Sequence, residues 1–217
     1  MTKEEILAIQ GPNEGQKEQA RKGFEDGLTE EQITFYYKPD FTADQMDQAR
    51  RGFKHGLTSE QVAFYYKPEF NQYQMFEARI GFEQGLTMEQ VAFYYKPEFD
   101  RSQMAQAQLG LINDLTMEQV SFYCKPEFHH FQMYEARLGL EHSLTEEQVA
   151  LYYKSWFNEY QMKQARKGLE HGLTMEQVSS YFKQEFDSEK MEEMRRQLES
   201  PTTDSGITEN ILNALDT

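Results

Sequence analysis

Residues 56–85 read GLTSEQVAFYYKPEFNQYQMFEARIGFEQG, and residues 85–114 repeat the frame as GLTMEQVAFYYKPEFDRSQMAQAQLGLIND. Leu28, Leu57, Leu86, Leu115, Leu144 and Leu173 stand 29 residues apart, as do Met46, Met75, Met104, Met133, Met162 and Met191. Asn13, Ala20 and Phe24 keep register with Thr42, Ala49 and Phe53, so a degenerate first copy starts near Thr2. Forwards, the copy that begins at Leu173 ends near Glu199. The count is seven copies: one degenerate, five regular, and a last one whose second helix has drifted.

Each copy punctuates itself twice. Thr58 precedes Ser-Glu-Gln-Val, which makes it an N-cap with Gln61 at N3 in a capping box. The short helix then runs from about Ser59 to Tyr66 and stops before Pro68, because proline disfavours helix in the residue preceding it. Asn71 opens a second box with Gln74 at N3, and the aligned caps are Thr42, Asp100, His129, Asn158 and Asp187. This longer helix runs from about Gln72 to Gln84, and Gly85 followed by Leu86 reads as a Schellman stop. One such pair cannot bury its own apolar face, but a stack can. The expected fold is therefore an all-α solenoid of about seven helix-turn-helix repeats with a 29-residue period, forming one domain over residues 1–199. Residues 200–217 leave the frame. They read as a linker and a short amphipathic helix, either capping the last repeat or docking elsewhere.

The chain of 217 residues is 38% hydrophobic and 27% charged, which suits an ordered array and not a disordered chain. A net charge of -15 disfavours contact with nucleic-acid phosphates and favours a protein partner with a basic surface. No signal peptide and no membrane-length apolar run are seen, so a cytoplasmic location is expected. Cys124 sits where sibling copies carry Tyr66 or Tyr95 and reads as a small packed hydrophobe.

Most repeated residues have structural explanations. Met75, Ala78 and Phe82 make the core stripe of the longer helix. Gly52, Gly81, Gly110, Gly139 and Gly168 suggest close approach of helices at each copy. Arg50, Arg79, Arg137, Arg166 and Arg195, with Glu60 and Glu69, read as a ladder of ion pairs between copies. The alternative is that the rows of Tyr65, Lys67, Arg79, Tyr94, Lys96 and Arg137 line a groove for an anionic nucleotide. No nucleophile motif or Gly-rich phosphate loop is present, and His55, His129, His130, His142 and His171 lack the neighbours of a metal set. No catalytic residue, metal or cofactor is expected.

The variable positions point elsewhere. At about 100° per residue, Tyr73, Phe76 and Ile80 fall roughly 100–160° from Met75, away from the core. The second copy carries Asp44, Asp47 and Arg51 at these places, and the last carries Glu189, Glu192 and Arg196. Between them stand Tyr73, Phe76 and Ile80, then Ser102, Ala105 and Leu109, then Phe131, Tyr134 and Leu138, then Tyr160 with Lys163 and Lys167. Helices stacked about 10 Å apart would give the middle copies an apolar strip about 30 Å long. Tyr73, Phe76, Ile80, Leu109, Phe131, Tyr134, Leu138 and Tyr160 are the candidate partner-binding residues. A homodimer seam and burial within the array are competing readings of the same face.

The Leu-Thr-x-Glu-Gln turn, the Lys-Pro-Glu-Phe turn and the Gln-Met-x-x-Ala-Arg-x-Gly helix together resemble short helical repeats in uncharacterised proteins of gut Firmicutes, their phages and integrative elements, over about residues 13–199. The resemblance implies a mobile-element or commensal setting and brings no established activity. It suggests an anti-defence role: an inhibitor or decoy for an immunity protein, or a sponge for its nucleotide signal.

Overall fold

The computed structural model describes residues 2–200; the expected linker and capping helix at residues 201–217 lie outside them. Among the described residues there are fourteen α-helices and no strand. They form seven pairs: α1 (Lys3–Leu7) and α2 (Glu14–Glu25), α3 (Glu30–Tyr36) and α4 (Ala43–Lys54), α5 (Ser59–Tyr65) and α6 (Gln72–Glu83), α7 (Met88–Tyr94) and α8 (Arg101–Ile112). Then follow α9 (Met117–Tyr123) and α10 (His130–Glu141), α11 (Glu146–Tyr152) and α12 (Glu159–Glu170), and α13 (Met175–Tyr181) and α14 (Ser188–Glu199). The fold is an all-α helical-repeat solenoid, as the 29-residue period predicts. The chain divides into two compact units, one ending at Met133 and one starting at Tyr134, so the division falls inside α10. In the first unit α2, α4, α6 and α8 pack side by side; in the second α12 packs on α14.

The local signals act as the sequence indicates. Thr58 accepts from the Gln61 amide at 3.2 Å, and the Gln61 side chain accepts from the Thr58 amide at 3.0 Å. The same box opens α6, where Asn71 takes the Gln74 amide at 3.0 Å. At the far end Gly85 adopts φ +88°, the Leu86 amide reaches the Gly81 carbonyl and the Gly85 amide reaches that of Phe82. That is the full Schellman pairing. Asp114 and Ser143 hold the corresponding left-handed position without being glycine.

The core is one pattern applied repeatedly. Val62, Tyr65, Met75 and Ala78 have no exposed surface, and Phe82 and Tyr66 are nearly as buried. Phe41 stacks on Tyr66, and Phe70 on Tyr95, with centroids 3.8 and 3.9 Å apart. Each of these tyrosines also donates to a carbonyl of the preceding copy, Tyr66 to Tyr36 at 2.6 Å and Tyr95 to Tyr65 at 2.7 Å. Cys124 replaces that ring and hydroxyl in the fifth copy; it is buried, and burial pushes its thiol up to about 12.

Two expectations need correction. The recurring mid-helix glycine does not mark helix-on-helix approach. A Cβ at Gly52 would run into the Tyr65 hydroxyl, and one at Gly81 into that of Tyr94. The glycine is the seat of a buried tyrosine, whose hydroxyl donates to a carbonyl on the long helix, Gln48 at 3.0 Å for Tyr65. The ion-pair ladder exists, but Glu60 and Glu69 are exposed and do not build it. Between copies Arg50 pairs with Asp26 and Arg166 with Glu135, and acids in the last turns of the long helices pair within their own helix: Arg79 with Glu83, Arg166 with Glu170 and Arg195 with Glu199. His55, His142 and His171 join these acids from the preceding copy.

Candidate functional site

Of the rows suggested for an anionic ligand, the tyrosines and arginines turn inward. Tyr65 and Tyr94 are wholly buried and donate to the Gln48 and Glu77 carbonyls. Burial holds both phenols far above their ordinary range, so they remain neutral donors. Arg79 is buried, with Nε on the Gln48 side chain at 3.1 Å and an Nη on Glu83. Arg137 is likewise buried and pairs with Glu141 at 2.6 Å. Lys67 and Lys96 lie over the rings of Phe64 and Phe93, about one turn back on their own short helices. The two arginines are thus enclosed and paired, while Lys67 and Lys96 are half-buried.

The variable row turns outward. In the first unit Tyr73 is 54% exposed, Phe131 49% and Leu109 38%, while Phe76 and Ile80 are half-buried. In the second unit Tyr160 is 61% and Tyr134 38% exposed, with Leu138 half-buried. Every regular helix buries its Met, Ala and Gly stripe, which leaves this opposite row free for any side chain. Aromatic rings there cost apolar exposure that packing of the array does not recover.

Within the first unit α6 and α8 are neighbours, and their shared outer face holds the best-defined cluster. Arg101, the first residue of α8, places its guanidinium 5.6 Å from the Tyr73 ring centre and 5.1 Å from that of Phe76. The Arg79 guanidinium also lies 5.1 Å from the Phe76 ring centre. Arg101 Nε donates to Glu77 at 2.8 Å, and Glu77 is buried. Burial pushes the Glu77 carboxyl above its ordinary range, and the Arg101 hydrogen bond opposes that rise. At the start of α10, His129, His130 and Phe131 form a compact ring group with centroids 4.2–5.3 Å apart.

Comparison with known proteins found no matching family model, no matching curated protein and no matching solved structure. Among the described residues no group of three or more His, Cys, Asp or Glu is placed to hold a metal ion. None of their helices is long and apolar enough to cross a membrane.

Sequence reasoning missed two exposed features. Arg101 carries no repeat signature, since Ala43, Gln72, His130 and Glu159 hold its position in other copies. Its role becomes visible only with Glu77 and the two rings in place. Trp156 is 59% exposed in the second unit, in the turn between α11 and α12. The signal was present there: Lys-Ser-Trp-Phe replaces the Lys-Pro-Glu-Phe turn, and the change adds a large ring where the frame has an acid.

Proposed function

We propose that this chain is a non-enzymatic helical-repeat module that binds a protein partner through outward aromatic side chains of its middle copies, Tyr73 and Phe131 of the first unit foremost. The supporting observation is positional. Tyr73, Leu109, Phe131, Tyr134 and Tyr160 are all exposed, whereas the same helical positions in the second and last copies hold Asp44, Asp47, Glu189 and Glu192. The long helix accepts the charged set at these positions in α4 and α14. Large rings in such a place favour association, where they supply rigid apolar contact area.

The reading is tested by Tyr73→Glu combined with Phe131→Glu, both at exposed positions. These changes leave thermal stability near that of the parent, because surface substitutions typically shift it by within about 0.5 kcal/mol. Protein association, read by affinity capture from the producing cells and by molar mass in solution, is lost. Unchanged capture together with unchanged mass would sink the proposal. Loss of a higher-mass species alone would assign the face to self-association.

A further inference from the structure

The fourth copy breaks the charge ladder. In the sixth copy, Arg166 sends Nε to Glu135 at 2.7 Å and an Nη to Glu170 at 2.6 Å. The corresponding residues of the fourth copy are Gln108 and Ile112, facing Glu77. Gln108 cannot neutralise a carboxylate and instead donates to the Glu77 backbone carbonyl at 2.6 Å. Glu77 is left buried with its charge, a costly state unless a cation reaches it. Arg101 reaches it, from the outside of the array and not from within.

That substitution changes the character of the face. A ladder arginine such as Arg166 has its charge enclosed, with a side chain only 7% exposed; the Arg101 side chain is 51% exposed. Only its Nε is engaged with Glu77, so its two terminal nitrogens have no protein partner among the described residues. The guanidinium lies beside two aromatic rings, within cation–π distance of both. A guanidinium held by its Nε in this manner offers a forked pair of N–H groups suited to one carboxylate. In a chain of net charge -15 such a cation does not attract acidic proteins at long range, but it reads a carboxylate at contact.

We infer that the face formed by Tyr73, Phe76 and Arg101 takes a partner segment in which an Asp or Glu stands beside an aromatic or aliphatic side chain. The carboxylate sits on the Arg101 fork and the apolar side chain lies against the Tyr73 and Phe76 rings. Arg101 is the specificity-determining residue. This inference rests on the proposed protein-binding reading of the same face.

The obvious variant, Arg101→Ser, strands Glu77 and loses stability, so it is made in a background that repairs the ladder. Gln108→Arg with Ile112→Glu reproduces the arrangement of Arg166, Glu170 and Glu135, in which the arginine takes one carboxylate oxygen, so Glu77 gains an internal partner and keeps an oxygen for Arg101 Nε. A phage-displayed random peptide library is panned on the full chain and on three variants: Q108R/I112E, Q108R/I112E/R101S and Tyr73→Ser. Selected peptides are expected to carry an Asp or Glu adjacent to an aromatic or aliphatic residue. They are expected to bind the repaired background as tightly as the parent, and to lose about tenfold or more when Arg101→Ser is added. Changing their acidic residue to Asn or Gln gives a matching loss that does not add to the first. Peptides that lose binding on Tyr73→Ser but are indifferent to Arg101 would overturn the carboxylate inference and leave the docking face standing. A library that yields no Tyr73-dependent peptide would overturn both.

Discussion

At the residue scale, the array is built from side chains that satisfy two partners at once. Tyr65 fills the space over Gly52 and closes a hydrogen bond to the Gln48 carbonyl. Glycine at that place costs about 1 kcal/mol of helix propensity relative to alanine, and the buried tyrosine offsets it. Arg50, Arg79 and Arg195 meet a glutamine of the preceding copy, Gln19, Gln48 and Gln164, whereas Arg166 meets Glu135. Burial raises the Glu135 carboxyl above its ordinary value of 4.5, against the opposing Arg166 hydrogen bond. A carboxyl whose folded pKa is raised binds more protons folded than unfolded, so its contribution to stability falls as pH rises from 4.5 through the folded value. Asp26 and Glu199 are shifted downward and act in the opposite sense, losing stability on acidification. Glu135→Gln isolates the first effect, because glutamine already meets arginine at the equivalent site in other copies. The stability of this variant relative to the parent improves between about pH 4.5 and pH 7. Urea unfolding of both proteins at the two pH values checks it, and a relative stability that stays level or falls would remove the raised Glu135 from the account.

At the scale of the element, the two capping boxes look alike in sequence but differ in consequence. Gln61 closes a box on the exposed start of α5. Gln74 closes one on α6 and also sends its Nε2 to the Phe99 carbonyl of the next copy at 3.0 Å, a buried bond. Gln45 does the same with Phe70 at 2.7 Å, and Gln161 with Phe186 at 2.8 Å. Gln61→Ala should cost about 1 kcal/mol, the ordinary loss of one such bond. Gln74→Ala should cost about 2 kcal/mol more, because it also leaves a buried carbonyl without that donor. Denaturant midpoints of the two variants decide the matter, and equal losses would mean that the bond between copies contributes nothing. The boxes were legible because a cap and its N3 residue lie three positions apart. The second bond joins residues 25 apart and depends on how copies stack, which no local pattern encodes.

At the scale of the whole molecule, the 29-residue period was enough to give the fold class and the pairing of helices, since one solved copy constrains all its neighbours. The outward row was legible for the same reason: a wheel anchored on Met75 separates what packing requires from what it leaves open. The charge chemistry was less legible. Arg79 reads from the sequence as a member of an ion-pair ladder, with a ligand row as the alternative, and it does pair with Glu83; Arg101 draws no reading from the sequence, yet it stands at the centre of the exposed cluster. Each depended on the three-dimensional position of a glutamate. The claim that matters most is that the aromatic row is a contact surface. A photo-crosslinking residue in place of Tyr73 tests it directly in the producing cells, with the same residue in place of Glu60, exposed on a short helix, as control. The account predicts a discrete protein adduct from position 73 that is absent at position 60 and disappears when Phe76 is also changed to serine. No adduct at either position, or the same adducts at both, would contradict it.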